Sequence, residues 1–279
     1  MSPKTADHFI AAHGQKKVRR LQTELETERK KVEALSGRQN VVYPIKTSEP
    51  HLRFGVLGCT HYGSLCCHMD AIREYYRFAS EQRGVKTFLN GGDVLDGHRV
   101  YRGQEFEVSD VGLERQLKRL ADNRPEQGET MFITGNHDQS FKTAAGVPIG
   151  DEIAAKTGWK FLGEEQATIA FDTPMGAYRV MLIHPGGGTS YALSYRPQKI
   201  VESLEGGTKP DLLCIAHYHK AEFIPSYRNV AVLQTGTFQR QTPFMARQGL
   251  AAHVGGWIIE ITVGKGVNAV RAEFMPFYV

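Results

Sequence analysis

Five short segments rich in histidine, aspartate, asparagine and glycine each follow an apolar run. These segments are Gly58-Cys59-Thr60-His61, Gly91-Gly92-Asp93-Val94-Leu95-Asp96, Gly135-Asn136-His137-Asp138, His184-Pro185 with three glycines, and Ala216-His217-Tyr218-His219. Histidine, aspartate and asparagine are ligands for borderline or hard divalent metals. Taken singly, each segment could be an ordinary turn or a structural histidine. All five in this order point to a common site.

The apolar runs that precede these segments must position them. We predict strands over residues 54–57, 87–89, 131–133, 178–183, 212–215, 230–233, 257–263 and 270–274, and helices over 69–82, 111–121 and 198–204. Alternation of strands and helices predicts an α/β domain, and the closer spacing of the later strands predicts hairpins. In an open α/β sheet, ligands bind at the carboxyl ends of the strands, which is where the polar segments fall.

The number of potential ligands exceeds what one ion can use. Two ions about 3.5–4 Å apart, bridged by a carboxylate, form the arrangement that acts on phosphate esters. The flanking glycines allow the sharp backbone turns that would bring such side chains together. The sequence therefore predicts a dinuclear metal site.

The order of these motifs over residues 52–275 resembles the calcineurin-like metallophosphoesterase superfamily. The resemblance implies a four-layer αββα sandwich in which Asp93 bridges two divalent metal ions. It places His61 and His219 on the first ion with position 59 beside them, and Asn136, His184 and His217 on the second.

The same resemblance implies hydrolysis by attack of a metal-activated hydroxide on phosphorus. His137 would be the histidine that faces the substrate and protonates or stabilises the leaving oxygen. Asp138 has two possible roles. It either orients His137 as part of the catalytic pair, or it only caps the following turn.

Cys59 departs from the aspartate that the superfamily usually has at this position. A cysteine here, with the Ala-His-x-His segment, is similar to the pattern in RNA lariat-debranching enzymes, which hints at nucleic-acid phosphodiesters. As a ligand, a thiolate would favour Zn or Fe over Mg. For the ligand set as a whole we expect Mn, Fe or Zn rather than Mg. The alternatives are a weak ligand that leaves the first site with low affinity, or an inert buried cysteine.

Four residues are candidate substrate contacts. Gly186-Gly187-Gly188 could bind phosphate oxygens through backbone N–H groups, and Tyr191, Tyr195 and Arg196 follow it as candidates for base stacking or phosphate binding. Arg99 lies in an insertion, residues 98–109, which we expect to rim the pocket. The alternative is a flexible loop followed by a helix packed on the core.

The sequence favours one class of substrate but leaves other classes open. Gly97-His98 follows Asp96 without the arginine of protein Ser/Thr phosphatases, which argues against that activity. We therefore expect a phosphodiesterase or nuclease acting on nucleic acid or nucleotides. The alternatives are a phosphomonoesterase on small nucleotides, or a weakly active metal-binding module that docks nucleic acid or a partner.

The net charge of +4 belongs to residues 1–50, which hold ten Lys/Arg and six Asp/Glu. We interpret them as a basic helical arm and linker that precedes a domain over 51–279. Val18, Leu21, Leu25, Val32 and Leu35 form an imperfect heptad pattern that could pair two chains into a homodimer or pack on its own domain. A mildly basic arm favours polyanions, although a solvated helix explains it equally.

The remaining composition is that of an ordinary globular protein, with 279 residues, 41% hydrophobic and 23% charged. We find no apolar run of about 18 residues and no apolar signal-peptide core, so we expect no membrane segment. Four cysteines at this length do not suggest a disulfide framework. Together these features predict a cytoplasmic protein with reduced thiols.

Overall fold

The computed structural model describes residues 42–266 and 268–278. Within them, twelve strands form two six-stranded sheets. The strands are β1 (Val42–Lys46), β2 (His51–Leu57), β3 (Thr87–Asn90), β4 (Glu129–Thr134), β5 (Lys160–Glu164), β6 (Gln166–Thr173), β7 (Gly176–Ile183), β8 (Leu212–Ile215), β9 (Ala221–Tyr227), β10 (Val230–Thr235), β11 (Gly255–Val263) and β12 (Asn268–Pro276).

Six α-helices connect the strands: α1 (Met69–Arg83), α2 (Leu113–Asn123), α3 (Asn136–Ala145), α4 (Ile149–Thr157), α5 (Tyr195–Ser203) and α6 (Pro243–Arg247), with short 3₁₀ turns at Gln104–Phe106 and Gly206–Thr208. The first sheet has the strand order β12-β11-β2-β3-β4-β5 and the second the order β1-β6-β7-β8-β10-β9. In the first sheet, β2, β3, β4 and β5 are parallel, and in the second, β7, β8 and β10 are parallel. The carboxyl ends of these strands therefore meet at one edge of each sheet.

Three apolar clusters define four layers. One cluster fills the space between the sheets, with Phe54 of β2 stacked on Phe171 of β6. A second packs α1 to α4 on the first sheet, with Tyr76 of α1 stacked on Phe88 of β3. A third packs α5 on the second sheet through Val201. The predicted αββα sandwich is thereby confirmed.

All eight predicted strands are present, and the three predicted helices correspond to α1, α2 and α5. The predicted hairpins are also present, because β6/β7, β9/β10 and β11/β12 are antiparallel neighbours. Strands β1, β5, β6 and β9 and helices α3, α4 and α6 were not predicted from the sequence.

The amino-terminal part of the folded domain extends further than expected. β1 (Val42–Lys46) pairs in parallel with β6, and the Tyr43 hydroxyl donates to the carbonyl of Leu162 at 2.5 Å. The domain thus includes residues before position 51, where we expected it to start. Residues 1–41 of the arm that we placed at 1–50, which include its heptad pattern, lie outside the described residues, so the homodimer stays a prediction.

None of the described helices is long and apolar enough to span a membrane. The four cysteines (Cys59, Cys66, Cys67 and Cys214) lie in the described part of the chain and form no disulfide there.

Candidate metal centre

Five of the predicted metal ligands stand on backbone in the left-handed region. Their φ angles are 52° for Cys59, 48° for His61, 51° for Asp93, 76° for His217 and 54° for His219. Residues other than glycine rarely adopt such angles, and each instance costs about 1–3 kcal/mol. The turns after β2, β3 and β8 therefore hold strained backbone at the residues that carry the candidate ligands.

Neighbouring turns hold the Cys59 turn in place. Its N–H donates to the carbonyl of Gly92 at 2.8 Å, which ties it to the turn that carries Asp93. Its own carbonyl accepts from the Thr237 hydroxyl at 2.9 Å and from the Phe238 N–H at 3.1 Å. The segment after β10 thus holds the turn that carries Cys59 and His61 in place.

Asp93 lies at the centre of the cluster. One of its carboxylate oxygens, Oδ2, is 3.1 Å from His184 Nε2 and 3.8 Å from His61 Nε2. The other, Oδ1, accepts the backbone N–H of His137 at 2.9 Å. The His184 Nε2 atom is also 3.1 Å from Asn136 Oδ1. A single carboxylate therefore touches residues that we assigned to both ions.

Cys59 joins two groups of converging side chains. Its Sγ converges with His61 and His219, whose Nε2 atoms are 3.2 Å apart, and also with Asp93 and His184. Within each group the potential ligand atoms lie within 4.8 Å of one another. A third such group contains His61, Asp96 and His137. Six of the seven predicted ligands are thus drawn together by these groups and by the contact of Asn136 with His184.

His217 lies in the same cluster but faces differently. Its ring packs on His184 at a centroid distance of 5.1 Å, and its backbone N–H donates to Cys59 Sγ at 3.3 Å. Its Nε2 is 2.8 Å from the carbonyl of Gly187, which can only accept, so Nε2 donates. Among the groups of converging ligand atoms found in the described residues, none includes His217.

The electrostatics of the cluster favour neutral imidazoles. Burial, together with a smaller effect of neighbouring histidines, lowers the pKa values of His61, His219 and His217, that of His217 to about 4. His184 differs, because the adjacent Asp93 carboxylate raises its pKa although burial opposes this. A neutral imidazole offers a nitrogen lone pair, which is the form that binds metals.

The pKa values of the two acidic side chains of the cluster, Asp93 and Cys59, are shifted in opposite directions. Burial would raise the pKa of Asp93, yet its histidine neighbours hold it well below the usual range, so it is a carboxylate. Burial and the Asp93 charge raise the pKa of the Cys59 thiol well above its usual value. A bound cation would reverse this shift, because coordination deprotonates a thiol.

The donor set fits divalent metal ions. Imidazole nitrogens, a carboxylate, a thiol and an amide oxygen converge, and the facing Nε2 atoms of His61 and His219, 3.2 Å apart, could both serve as ligands of a cation. Mixed N, O and S donors suit Mn, Fe or Zn better than Mg. The residues present are therefore suited to the metals that the motifs predicted.

Asp138 does not act on the His137 side chain in the described structure. Its buried carboxylate accepts the backbone N–H groups of Gly135, Val94 and Leu95 at 2.8–3.1 Å. It thereby caps α3 and fastens the turn after β3 to the turn after β4. Of the two roles that we left open for Asp138, these contacts favour the structural cap, and its catalytic role stays a prediction.

The group next to the His137 ring is instead a main-chain oxygen. His137 Nδ1 lies 2.6 Å from the carbonyl of Asp96, and its ring meets His61 edge-on at a centroid distance of 4.5 Å. The Asp96 side chain, buried beside His61 Nδ1 at 3.3 Å, accepts from Gln239 at 3.2 Å. Gln239 was not predicted from the sequence, because it lies far along the chain from Asp96.

The predicted substrate contacts are dispersed. Tyr191 is fully exposed and Tyr195 about half exposed, and neither lines the cavity at the metal centre. The Arg196 guanidinium donates to the Gly186 carbonyl at 2.9 Å and to the Tyr218 hydroxyl at 3.1 Å, so it supports the glycine-rich loop. Arg99 is exposed in a separate depression that reaches Asn136.

A cavity of about 260 Å³ opens beside the metal centre. Its lining includes the polar residues Asp93, His137 and His219. The aromatic and apolar residues of the lining are Tyr101, Tyr218, Phe244, Met245 and Leu250. The part of this lining that α6 contributes was not predicted from the sequence. Thr242-Pro243 could have indicated it, because a threonine followed by a proline is typical of a helix start. In the structure, the Thr242 side chain caps α6 by accepting from the Met245 N–H.

A four-layer sandwich with such a cluster between its strand ends defines an α/β protein built to bind metal. Comparison with protein families identifies the family within this class. Residues 52–221 match the family model described as calcineurin-like phosphoesterase, and the chain belongs to this family. Metallophosphoesterases of this family use divalent metals, in agreement with the converging groups around Asp93.

The sequence identity to individual curated proteins is low. The chain is 22% identical to a DNA polymerase II small subunit of Halobacterium salinarum over 248 residues, which cover 76% of this chain and 48% of the relative. It is 27% identical to the protein of the same name in Methanocaldococcus jannaschii over 201 residues, 60% of this chain and 33% of the relative. The chain thus spans between a third and a half of the length of these relatives.

Solved structures with a similar fold include GAP50 of Plasmodium, with a TM-score of 0.46, 12% identity and coverage of 81% of this chain and 84% of that one. Vps29 of Chaetomium thermophilum has a TM-score of 0.43 and 13% identity, and covers 80% and 95% of the two chains.

Proposed function

We propose that this chain is a phosphodiesterase that depends on two divalent metal ions and hydrolyses nucleic-acid or nucleotide phosphodiester bonds. The observation that carries the proposal is the cluster around Asp93. The side chains of His61 and His184 and the backbone N–H of His137 lie against its carboxylate, and Asn136 contacts His184. Strained backbone at five of the candidate ligands supports it, because strain of this kind persists where function requires it.

The proposed ligands are Cys59, His61 and His219 for one ion, Asn136, His184 and His217 for the other, and Asp93 for both. Bound ions of this kind neutralise phosphate oxygens and activate water. Because Cys59 Sγ converges with candidate ligands of both ions, a thiolate there would shift the preference of both sites toward Zn or Fe.

His137 is the proposed proton donor to the leaving oxygen. The Asp96 carbonyl can only accept, so Nδ1 of His137 carries a proton and donates to it. This contact fixes the ring orientation and leaves Nε2 available toward the cavity, which His137 lines. A protonated Nε2 there can give its proton to the alkoxide as the ester bond breaks.

The proposal is tested by hydrolysis of bis-p-nitrophenyl phosphate with added Mn, before and after chelation. We expect turnover that chelation abolishes and Mn restores. A panel of single- and double-stranded DNA, RNA, branched RNA, cyclic nucleotides and phosphomonoesters then assigns the substrate. Absence of turnover on every diester with every divalent metal would refute the proposal.

A second candidate is a weakly active or inactive module within a larger assembly. It is favoured by the curated relatives, which are named as small subunits of a DNA polymerase, and the family includes non-catalytic members. Metal binding without hydrolysis in the same assay would favour this candidate. The basic arm, which both candidates could use to bind nucleic acid or a partner, lies outside the described residues.

A further inference from the structure

We propose that Tyr101 and Phe244 form a nucleobase subsite beside the metal centre, so that the enzyme selects phosphate esters carrying one unpaired nucleoside. This inference rests on the proposed function and deepens it. It concerns two residues that belong to neither the metal-ligand set nor the substrate contacts expected from the sequence.

The position of the two rings supports this assignment. Tyr101 and Phe244 stack with centroids 4.4 Å apart and an interplanar angle of 26°. The Tyr101 ring centroid is 6.3 Å from that of His137, and both residues line the cavity that contains Asp93. A planar group attached to a phosphate at Asp93 would therefore reach the aromatic pair.

A buried carboxylate holds the aromatic pair rigid. Glu107 is only 4% exposed, and its Oε2 accepts from the Tyr101 hydroxyl at 2.8 Å. Its Oε1 accepts from the backbone N–H of Phe244 at 2.9 Å. Burying a carboxylate is costly unless it is well paired. Here it joins the 98–109 insertion to α6 and holds the Tyr101 hydroxyl and the Phe244 main chain before any ligand arrives, which reduces the entropy cost of binding.

The size and chemistry of the cavity indicate a single nucleoside. Its volume of about 260 Å³ is near the lower end of small-ligand pockets. Met245 and Leu250 extend the apolar surface, whereas Gln239 and Thr189 supply polar groups at its margin. Aromatic side chains stack on any base, because every base has a π-face. A base-paired duplex could not present an unstacked base to these rings.

Equilibrium binding tests the subsite without relying on turnover. Isothermal titration calorimetry on the Mn-loaded full chain compares 5′-AMP, ribose 5-phosphate and inorganic phosphate. We expect AMP to bind at least about tenfold more tightly than the other two, as base stacking on aromatic residues predicts. Phe244→Ala and Phe244→Leu should each remove most of this advantage and leave the affinity for phosphate unchanged. The Leu variant keeps an apolar side chain and so controls for unfolding.

Phe106→Ala is the matched control, because Phe106 lies in the same insertion with 80% of its surface exposed and does not line the cavity. It should change none of the affinities. The subsite is overturned if ribose 5-phosphate binds the wild type as tightly as AMP, or if Phe244→Leu weakens phosphate and AMP equally.

Two further comparisons separate this inference from the proposed function and identify the source of the nucleoside. Base-dependent binding without hydrolysis of any diester would sustain the subsite and refute the phosphodiesterase. Preference for a dinucleotide over a single-stranded oligonucleotide indicates that the nucleoside comes from free nucleotides. The reverse preference indicates that it comes from the end of a nucleic-acid strand. Equal kcat/KM on a blunt duplex and on a single strand would contradict the requirement for an unpaired nucleoside.

Discussion

Cys59 stands where two sets of candidate ligands meet. It is fully buried, its Sγ accepts the His217 N–H at 3.3 Å, and it converges with ligands of both proposed ions. Its φ of 52° is unfavourable for a cysteine that only fills space. A role in metal binding explains why this strained position holds a thiol.

Cys59→Asp tests this role. Aspartate is a harder ligand, so we expect the variant to keep hydrolytic activity while its metal preference moves toward Mg and Mn. Metal content by plasma mass spectrometry and kcat/KM with each added metal are the measurements. Unchanged metal content together with unchanged activity would remove Cys59 from the ligand set.

His137→Ala tests the proton donor. We expect kcat on diesters with poor leaving groups to fall by about 10²–10⁴-fold, and much less on p-nitrophenyl esters, whose leaving group needs no proton. Metal content should not change, because His137 contributes mainly its backbone N–H to Asp93.

His51→Ala is the control for this experiment, since His51 lies exposed at the amino-terminal end of β2, opposite the end that leads to Cys59. It should leave both classes of ester unaffected. An equal loss on good and poor leaving groups in His137→Ala would exclude the proton-donor role.

The pKa of His217 predicts a pH effect on stability in the metal-free protein. Burial lowers it from 6.5 to about 4, so the unfolded chain binds an extra proton between these values and the stability contribution is lost as pH falls from 6.5 through 4. The loss amounts to at most roughly 3 kcal/mol.

His217→Gln removes this titrating group and keeps a donor for the Gly187 carbonyl. The free energies of unfolding of wild type and variant are measured by urea denaturation after chelation. From pH 7.5 to pH 4.5, wild type should lose more of this free energy than the variant does. A difference independent of pH would contradict the prediction.

At the scale of elements, the turns after β3 and β4 pack too closely to admit a side chain. A Cβ on Gly135 would lie 2.3 Å from Asp93 Oδ1 and 2.5 Å from His184 Cε1. Such crowding would displace the two residues that join the halves of the metal centre.

Gly135→Ala should therefore lower metal content and activity and destabilise the fold by about 1–3 kcal/mol. Thermal unfolding and metal analysis measure both effects. Gly206→Ala is the control, because a Cβ there meets no atom within 4 Å. Normal metal content in Gly135→Ala would show that this contact can relax.

The elements that the sequence revealed are those whose apolar runs are continuous. β8 (Leu212–Ile215) and β10 (Val230–Thr235) are buried throughout and were predicted directly. β1 contains Pro44 and β5 contains Gly163, which interrupt the pattern of a strand. α3 begins with the polar residues Asn136, His137 and Asp138, so it showed no amphipathic start. Tertiary pairing, rather than local propensity, determines these elements.

The candidate site likewise contains residues that were predicted from the sequence and residues that only the fold brings together. The side chains predicted as ligands lie directly after strands, and a strand end is visible in the sequence. The groups that hold them are not, because Gln239 meets Asp96, and Phe244 meets Glu107, across more than 130 residues. Asp138 was ambiguous for this reason, since only the fold brings Val94 and Leu95 to its carboxylate.

At the scale of the whole molecule, the metal centre joins the two sheets. Cys59, His61, Asp93 and Asn136 follow β2, β3 and β4 of one sheet, whereas His184, His217 and His219 follow β7 and β8 of the other. The facing nitrogens of His61 and His219, and the contact of His184 with Asp93, cross between the sheets. Bound ions would therefore connect the sheets at the edge where the substrate cavity opens.

Metal stoichiometry tests the central claim most directly. Wild type and Asp93→Asn, each loaded with Mn and freed of excess ion, are analysed by plasma mass spectrometry alongside chain concentration. We predict two equivalents of metal per wild-type chain and at most one in Asp93→Asn, because the amide cannot bridge two cations as a carboxylate does. A wild-type chain that retains no metal, or a variant that retains two equivalents, would contradict the dinuclear centre.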